Sequence, residues 1–341
     1  MNLQPIRARQ PPREPWPLSR LVHERALAMS YAIDPSTQQC YDSACNSYLT
    51  FVHAHDLPVD PTPDTLSFYV VYMSHHISPR SVRTYLSGIV SQLEPYFPNI
   101  RDARSSRLVQ RTLKGCLKLQ SSPVSRKRAL TLDDLYIPLA RYQSSTLHDD
   151  LLFLSMCLTA FFGLMRLGEL TFPTDEALRD WRKVTRRSSV SVTHEHYGFF
   201  LPAHKADRFF EGNRILIWGE RFGFPTRHVF LRYLSSRDHL FASASPLWLM
   251  ASGAIPSRAF FLGRLRALIP DSSVGGQSLR AGGATALAES GAAPHIIQAA
   301  GRWASETFQI YIRQHPILLH ALLFPSAPLG AHVPRPLAQP V

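Results

Sequence analysis

Apolar residues recur three and four positions apart through the first third of the chain, a spacing that predicts amphipathic helices. The Ser78-Pro79 pair is the strongest start signal, because serine caps a helix and proline suits its first position. The pattern therefore predicts a helical unit over residues 17–120. Its helices are expected to begin near Leu18, at a cap on Ser36, near Thr65, at Pro79 and near Ser105.

The pattern changes in the second half of the chain. Thr131 is expected to cap a helix, and the apolar run Leu151–Met165 predicts a buried helix, because it is too short to span a bilayer. The remaining segments predict a mostly helical region with a small inserted sheet. The predicted strands cover residues 189–192, 198–202 and 214–218, and the later helices cover residues 228–234, 257–268, 281–290, 294–300 and 305–313.

Composition divides the chain further. The 341 residues are enough for two domains. Residues 1–16 are rich in proline and arginine and are expected to form a flexible basic arm, whereas residues 325–341 predict a Pro-rich, disordered tail. Serine, proline and three basic residues predict an extended linker over residues 121–128. These boundaries leave a helical domain at residues 17–120 and a second domain at residues 129–324.

The net charge of +12 favours a polyanionic partner, although a basic protein without a nucleic-acid role is the alternative. Arg80, Arg83 and Thr84 begin a predicted helix, where positive charge opposes the helix dipole. We interpret them as contacts to phosphate, with ordinary solvated charge as the alternative. The linker offers further candidates for phosphate contact, which also resemble a minimal nuclear-import patch: Arg126, Lys127 and Arg128.

Cysteine and histidine give no metal signature. The four cysteines lack metal-ligand spacing, and Cys157 is expected to be a buried free thiol, which suits a reducing compartment. The segments His75-His76 and His194-Glu195-His196 have no companion ligand at a diagnostic spacing. We therefore expect no metal and no cofactor. We also expect no signal peptide, because the first residues contain no apolar stretch, and no membrane partner.

Candidate chemistry lies at both ends of the second domain. Arg166 lies at the end of the predicted buried helix and needs a partner, which Glu169 at i+3 can provide; a purely structural ion pair is the alternative. Arg280 opens a helix of small residues. Gly301-Arg302-Trp303 and then Tyr311 follow it. A guanidinium, an indole N–H and a phenol are groups that could together hold a phosphodiester.

Five segments resemble motifs of the tyrosine recombinases, the phage-integrase-like family. Residues 163–170 are similar to its first conserved box and residues 278–285 to its second box. The segments at residues 301–303 and 311–313 resemble the end of that box. Residues 201–207 resemble the β-hairpin lysine motif of the family. The matches are also similar to the transposon-borne (Crypton-type) recombinases of fungi.

The resemblance covers about residues 17–318 and implies a mainly α protein. It implies an all-α core-binding domain and an α+β catalytic domain with a small three-stranded antiparallel sheet, the fold of DNA breaking-rejoining enzymes. It also implies a site-specific recombinase that acts on double-stranded DNA as a homo-tetramer on paired sites, with no small-molecule substrate. Such an enzyme would work in the nucleus of a eukaryote, or otherwise at the nucleoid in the cytoplasm.

The resemblance gives each matching residue a role. Tyr311 would attack the phosphodiester and form a 3′-phosphotyrosyl intermediate. Arg166 and Arg280 would clamp the phosphate with the two-pronged geometry that lysine lacks. Lys205 would protonate the leaving 5′-oxygen, and Trp303 would donate its indole N–H to the phosphate.

One position departs from the family pattern. The second box normally reads His-Xaa-Xaa-Arg, and Gln277 occupies the histidine position. Glutamine can donate a hydrogen bond to phosphate but cannot exchange a proton near neutral pH. A DNA-binding relic of a mobile element, weakened or inactive in cleavage, is therefore the alternative function. Weaker alternatives are a helix-turn-helix regulator built on residues 281–300 and a type IB topoisomerase, which shares the chemistry but needs no synapsis.

Overall fold

The chain forms two units, Met1–Val124 and Ser125–Val341, in a computed structural model. The structure describes residues 13–120, 126–205, 207 and 210–303. The predicted helix at residues 305–313, the Pro-rich tail and most of the basic arm lie outside the described residues.

The first unit is built from helices. Helix α2 packs against α4, and α3 against α6; the described helices are α1 (Leu18–Ser30), α2 (Pro35–Ala54), α3 (Pro63–Ser74), α4 (Pro79–Leu93), α5 (Ile100–Ser105) and α6 (Arg107–Gln120). Tyr48 and Tyr69 are fully buried in the core. The hydroxyl of Tyr48 donates to Thr65 Oγ1 at 3.3 Å, and that of Tyr69 donates to Ser47 Oγ at 3.0 Å. Both polar tips are therefore satisfied inside an apolar core.

Three details of the first unit differ from the sequence prediction. Asp34 and not Ser36 caps α2, because Asp34 Oδ1 accepts from the backbone N–H of Ser36 at 3.0 Å and Pro35 takes the first position. A separate short helix, α5, precedes α6, so that α6 begins at Arg107 and not at Ser105. Helix α1 forms where predicted but buries none of its residues, since the core draws on the helices after it.

The second unit combines helices with a small sheet. Its described elements are α7 (Leu132–Tyr142), α8 (His148–Phe162), β1 (Ser191–Val192), β2 (His196–Leu201), β3 (Asn213–Trp218), α9 (Thr226–Leu240), α10 (Arg258–Leu268), α11 (Ser278–Glu289) and α12 (Pro294–Ala300). The strands pair antiparallel in the order β1-β2-β3, with Phe199 opposite Ile215. Strand β1 is shorter than predicted, because Arg187–Ser189 forms a 3₁₀ turn whose Ser189 hydroxyl accepts from the backbone N–H of Phe200.

Helix α8 is the buried centre of the second unit. Every residue from Leu151 to Phe161 is buried, as the apolar run predicted. The helix packs against α7, α9 and α11. A 2.9 Å hydrogen bond between Thr159 Oγ1 and Tyr197 Oη joins α8 to strand β2. The position of α8 therefore fixes both the sheet and the helices around it.

The predicted linker ends inside the second unit. Thr131 and Asp134 form the capping box that begins α7, with Thr131 Oγ1 accepting from the Asp134 N–H at 3.1 Å. Arg128 binds the same Asp134 with both terminal nitrogens, and its Nε donates to Asp271 at 3.0 Å. Lys127 Nζ donates at 2.7 Å to a carbonyl of the loop that carries Asp271. Lys127 and Arg128 are thus part of the folded unit, and the charge of Arg128 is matched by carboxylates.

All four cysteines are free, and Cys157 is buried, as predicted. Burial raises the pKa of the Cys157 thiol. Among the described residues, no group of three histidine, cysteine, aspartate or glutamate side chains is placed to hold a metal ion. None of the described helices is long and apolar enough to cross a membrane.

Two glycines let α11 approach the end of α8 and the start of α7. A Cβ on Gly283 would lie 2.0 Å from the carbonyl oxygen of Phe161, and one on Gly282 would lie 2.1 Å from that of Leu130. Neither backbone oxygen can move without shifting a helix end. The close approach places the first turn of α11 beside the turn that follows α8.

We expect Gly283→Ala to lower the free energy of unfolding of the second unit by at least about 1–3 kcal/mol, the usual effect of overpacking. Gly115→Ala in α6 is the matched control, because a Cβ there meets nothing within 4 Å. Alanine in that helix interior should stabilise the first unit by about 0.5–1 kcal/mol. Urea unfolding of the two full-length variants measures both effects. Equal stability of Gly283→Ala and the parent would contradict the close contact.

Candidate active site

The turn after α8 carries the first candidate arginine. Leu164 adopts a left-handed φ of 48°, which residues other than glycine seldom adopt. Arg166 is extended and precedes a 3₁₀ helix, Leu167–Glu169. Arg166 therefore lies beyond α8, and not at its end as the sequence suggested. The turn aims the backbone of these residues toward α11 and the segment after α12.

Glu169 holds Arg166 at two points. Glu169 Oε1 accepts from Arg166 Nη1 at 3.1 Å, and Oε2 accepts from the Arg166 backbone N–H at 2.9 Å. The Glu169 side chain is 6% exposed and that of Arg166 is 21% exposed. The ion pair predicted from the i,i+3 spacing is therefore present, and Arg166 is the more accessible member.

Arg302 is a second guanidinium on the same carboxylate. Its Nη2 donates to Glu169 Oε2 at 3.1 Å and to the Leu164 carbonyl at 3.0 Å. Its Nη1 donates to the Gly163 carbonyl at 3.3 Å. The Arg302 side chain is only 7% exposed. The sequence motif contained Arg302 but gave it no role, and no sequence signal links Arg302 to Glu169, which lies 133 positions earlier.

Arg280 reaches the same turn from the first turn of α11. It is 1% exposed. Its Nη1 donates to the Leu164 carbonyl at 2.7 Å, and its Nη2 donates to the Gly301 carbonyl. The Trp303 ring lies over the guanidinium, with its centroid 4.2 Å from Cζ. Trp303 was predicted to line the site with its indole N–H, and its ring here covers the second predicted phosphate ligand.

Positive charge exceeds negative charge where Arg166 and Arg302 share Glu169. Burial lowers the pKa of Arg302; Glu169 opposes that change, and the neighbouring Arg166 adds to it. Two guanidiniums on one carboxylate keep a net positive charge in partly buried surroundings, where electrostatic interactions are stronger than in water. An anion with several acceptor oxygens, such as phosphate, complements this arrangement.

No protein-family model matches the chain, and no curated protein sequence matches it. Solved structures match it at low sequence identity. The XerH site-specific recombinase bound to palindromic difH substrate superimposes with a TM-score of 0.53 and 15% identity over 77% of this chain and 72% of its own. A lambda integrase dimer bound to a COC′ core site matches with a TM-score of 0.52 and 16% identity, over 86% of this chain and 94% of its own. A lambda integrase tetramer bound to a Holliday junction matches with a TM-score of 0.51 and 16% identity, over 86% of this chain and 76% of its own.

The chain has the tyrosine recombinase fold. This confirms the expected mainly α class with a small three-stranded antiparallel sheet. The particular similarity to fungal transposon-borne recombinases stays a prediction. Within the fold, Arg166 and Arg280, from the two segments that resemble recombinase boxes, come together at the turn that contains Leu164.

Among the residues that the structure describes, neither Lys205 nor Gln277 forms a hydrogen bond or ion pair with this cluster. Lys205 is exposed in the connection between β2 and β3, which Asp207 shapes by accepting from the N–H of Gly212 at 2.8 Å. Gln277 is exposed immediately before α11, and its side chain makes no capping hydrogen bond to the helix. Tyr311 lies outside the described residues, so its predicted role as nucleophile stays a prediction.

The other predicted phosphate contacts are divided between the two units. Arg80, Arg83 and Thr84 are exposed in the first turns of α4, and Arg126 is exposed in the second unit. Sequence reasoning missed Arg104, which donates to Ser87 at 2.8 Å; burial and the nearby Arg83 lower its pKa. A cavity of about 300 Å³ in the first unit has basic and polar walls, formed by Arg83, Leu86, Arg101, Arg104, Ser105, Gln110 and Leu113.

We expect Glu169→Ala to lower the free energy of unfolding by about 3–5 kcal/mol, because it leaves two partly buried guanidiniums without their carboxylate. Glu176→Ala is the matched control, since Glu176 pairs with Arg179 at the same i,i+3 spacing but its side chain is 81% exposed. Its loss should change stability by less than about 1 kcal/mol. Urea unfolding separates the two cases, and similar midpoints for both variants would contradict the shared buried carboxylate.

Proposed function

We propose that the chain is a site-specific DNA recombinase that cuts and rejoins DNA strands through Tyr311. One observation carries the proposal: Arg280 hydrogen-bonds to the carbonyl of Leu164, 116 positions earlier in the sequence, and so meets Arg166 at one turn. The tyrosine recombinase motif pairs these two arginines at the scissile phosphate. Their convergence in a protein of that fold supports the reaction that the motif implies.

In the proposed reaction Tyr311 loses its phenolic proton to water, and its oxygen attacks the phosphorus atom. The bond from phosphorus to the 5′-oxygen breaks, a 3′-phosphotyrosyl bond forms, and the 5′-oxygen takes a proton from Lys205. The freed 5′-hydroxyl of a second strand then attacks the phosphotyrosyl bond and releases the tyrosine. The exchange conserves the bond energy, so it requires no nucleotide cofactor.

Arg166 is the arginine placed to meet the phosphate first, because its side chain is 21% exposed. Arg280 is covered by the Trp303 ring, so its contact with phosphate requires that ring to move. The indole would then lie beside the phosphate, where its N–H can donate a hydrogen bond. Electrostatic stabilisation of the developing charge is commonly the largest contribution in such sites.

Double-stranded DNA is the proposed partner, and a homo-tetramer on paired sites is the proposed assembly. The XerH and lambda integrase matches are complexes with a difH substrate, a core site and a Holliday junction, and the lambda integrase complexes contain dimers or tetramers. The net charge of +12 and the exposed arginines of α4 support the same partner. A nuclear location is proposed only for a eukaryotic source.

A DNA-binding relic with little or no cleavage is the second candidate. Gln277 favours it, because glutamine cannot relay a proton. A helix-turn-helix regulator is disfavoured, because it leaves the convergence of Arg166, Glu169 and Arg302 unexplained.

Tyr311→Phe should retain DNA binding and lose every covalent adduct, because phenylalanine has no nucleophilic oxygen. The measurement uses nicked suicide duplexes drawn from the sequence that flanks the gene, followed by denaturing electrophoresis for an SDS-resistant adduct. Tyr96→Phe is the matched control: Tyr96 is 77% exposed in the first unit, and its variant should form adducts at the parental rate. An adduct that persists in Tyr311→Phe would identify a different nucleophile.

Gln277→His should raise the rate of adduct formation by about 10²-fold or more, the range typical of general acid–base assistance. The gain should vary with pH between about 6 and 8, where imidazole titrates, whereas the parent should not show this dependence. The double variant Gln277→His/Tyr311→Phe controls for adducts at other residues. A variant that binds DNA as well as the parent but cleaves no faster would contradict the assignment of Gln277 as the limiting residue.

A further inference from the structure

Arg302 combines two features that are unfavourable for folding. Its φ of 55° lies in the left-handed region, which favours glycine. Its guanidinium is 7% exposed, and its Nε is buried with no hydrogen-bond partner among the described residues. Strained backbone and unsatisfied buried groups concentrate at functional sites, where they serve the arrangement of other groups. The contacts of Arg302 indicate what it arranges.

The first contact fixes the Glu169 carboxylate. Arg302 Nη2 and the backbone N–H of Arg166 both donate to Oε2, at 3.1 Å and 2.9 Å. With Oε2 held from two sides, the carboxylate cannot rotate freely. Its other oxygen, Oε1, therefore stays directed at Arg166 Nη1, 3.1 Å away.

The remaining contacts fix the turn that leads into Arg166. Arg302 donates to the carbonyls of Gly163 and Leu164, at 3.3 Å and 3.0 Å. Arg280 donates to the same Leu164 oxygen at 2.7 Å. Arg302 and Arg280 thus share the Leu164 oxygen, two residues before Arg166. Its terminal nitrogens already donate to protein oxygens, so it is not itself placed to take a phosphate oxygen.

We propose that Arg302 is a positioning residue for the proposed cleavage site: through Glu169 and the Gly163–Leu164 turn it sets the direction of the Arg166 guanidinium. The inference rests on the proposed function for its chemical meaning. Its structural content, that Arg302 controls the order of the Arg166 side chain, can be measured whether or not the protein cleaves DNA.

Arg237 offers a matched control. It is 0% exposed, pairs with Asp238 at 2.9 Å and donates to backbone carbonyls such as that of Pro246 at 2.7 Å. Its Nε is also buried without a hydrogen-bond partner among the described residues. Arg302→Met and Arg237→Met therefore remove the same kind of buried arginine, but only Arg302 contacts Glu169.

The first experiment follows the Arg166 guanidinium in full-length protein labelled with ¹⁵N-arginine, with its signal assigned by Arg166→Lys. Arg302→Met should shift the Arg166 Nε–Hε signal and lower its order parameter, and Arg237→Met should leave both unchanged. An unchanged signal in folded Arg302→Met overturns the proposal. If Arg302→Met does not fold, Arg302→Gly replaces it, because glycine adopts the left-handed φ without strain.

The second experiment measures adduct formation at saturating DNA for Arg166→Ala, Arg302→Met and the double variant. A positioning role predicts that Arg302→Met slows cleavage by about tenfold or more, as small misplacements at reactive sites do, with DNA affinity unchanged. The double variant should then be no slower than Arg166→Ala alone, because residues that act through one another are not additive. Independent, multiplying effects overturn the proposal.

The two experiments separate the two claims. If the parent forms no adduct on any duplex, the proposed recombinase activity fails. The order of the Arg166 guanidinium still decides whether Arg302 positions it.

Discussion

The carbonyl oxygen of Leu164 is the point on which the candidate site depends. It accepts from Arg280 at 2.7 Å and from Arg302 at 3.0 Å, residues that lie 116 and 138 positions later in the chain. The oxygen is available because the chain leaves α8 through a left-handed turn. Arg280 reaches it because its helix, α11, approaches the end of α8 more closely than any side chain at position 283 would allow. This close helix contact therefore brings Arg280 to the turn that precedes Arg166.

Packing alone would not hold these guanidiniums together, since like charges repel strongly away from water. Glu169 offsets part of that repulsion by accepting from Arg166 and Arg302 at once. Exposure then distinguishes the arginines. The Arg166 side chain is 21% exposed to solvent, whereas the Arg302 side chain is 7% exposed and lies in the interior. Arg280 is buried, and the Trp303 ring lies over its guanidinium. A phosphate that arrives at Arg166 would meet a positive charge already in place, and its remaining oxygens would compete with Trp303 for Arg280.

Local patterns in the sequence were sufficient for much of the fold. The apolar run predicted the burial of α8, the Thr131 box predicted the start of α7, and the i,i+3 spacing predicted the pairing of Arg166 with Glu169. Contacts between distant segments were beyond such patterns. One of the two carboxylates that bind Arg128 is Asp271, on a loop 143 residues later in the chain. The sequence alone therefore suggested a linker. The role of Arg302 was not predicted for the same reason, because only the folded chain brings Arg302 to Glu169.

Folding and catalysis place different demands on this site, and the difference bears on Gln277. A buried ion pair is a weak source of stability, and apolar residues of similar volume often replace one with no loss. Glycine would also adopt the left-handed φ of Arg302 without strain. Folding therefore does not require the cluster of Arg166, Glu169 and Arg302 in its present form. The proposed phosphate binding at this turn would account for the cluster, and under that proposal Gln277 would limit proton transfer but not phosphate binding.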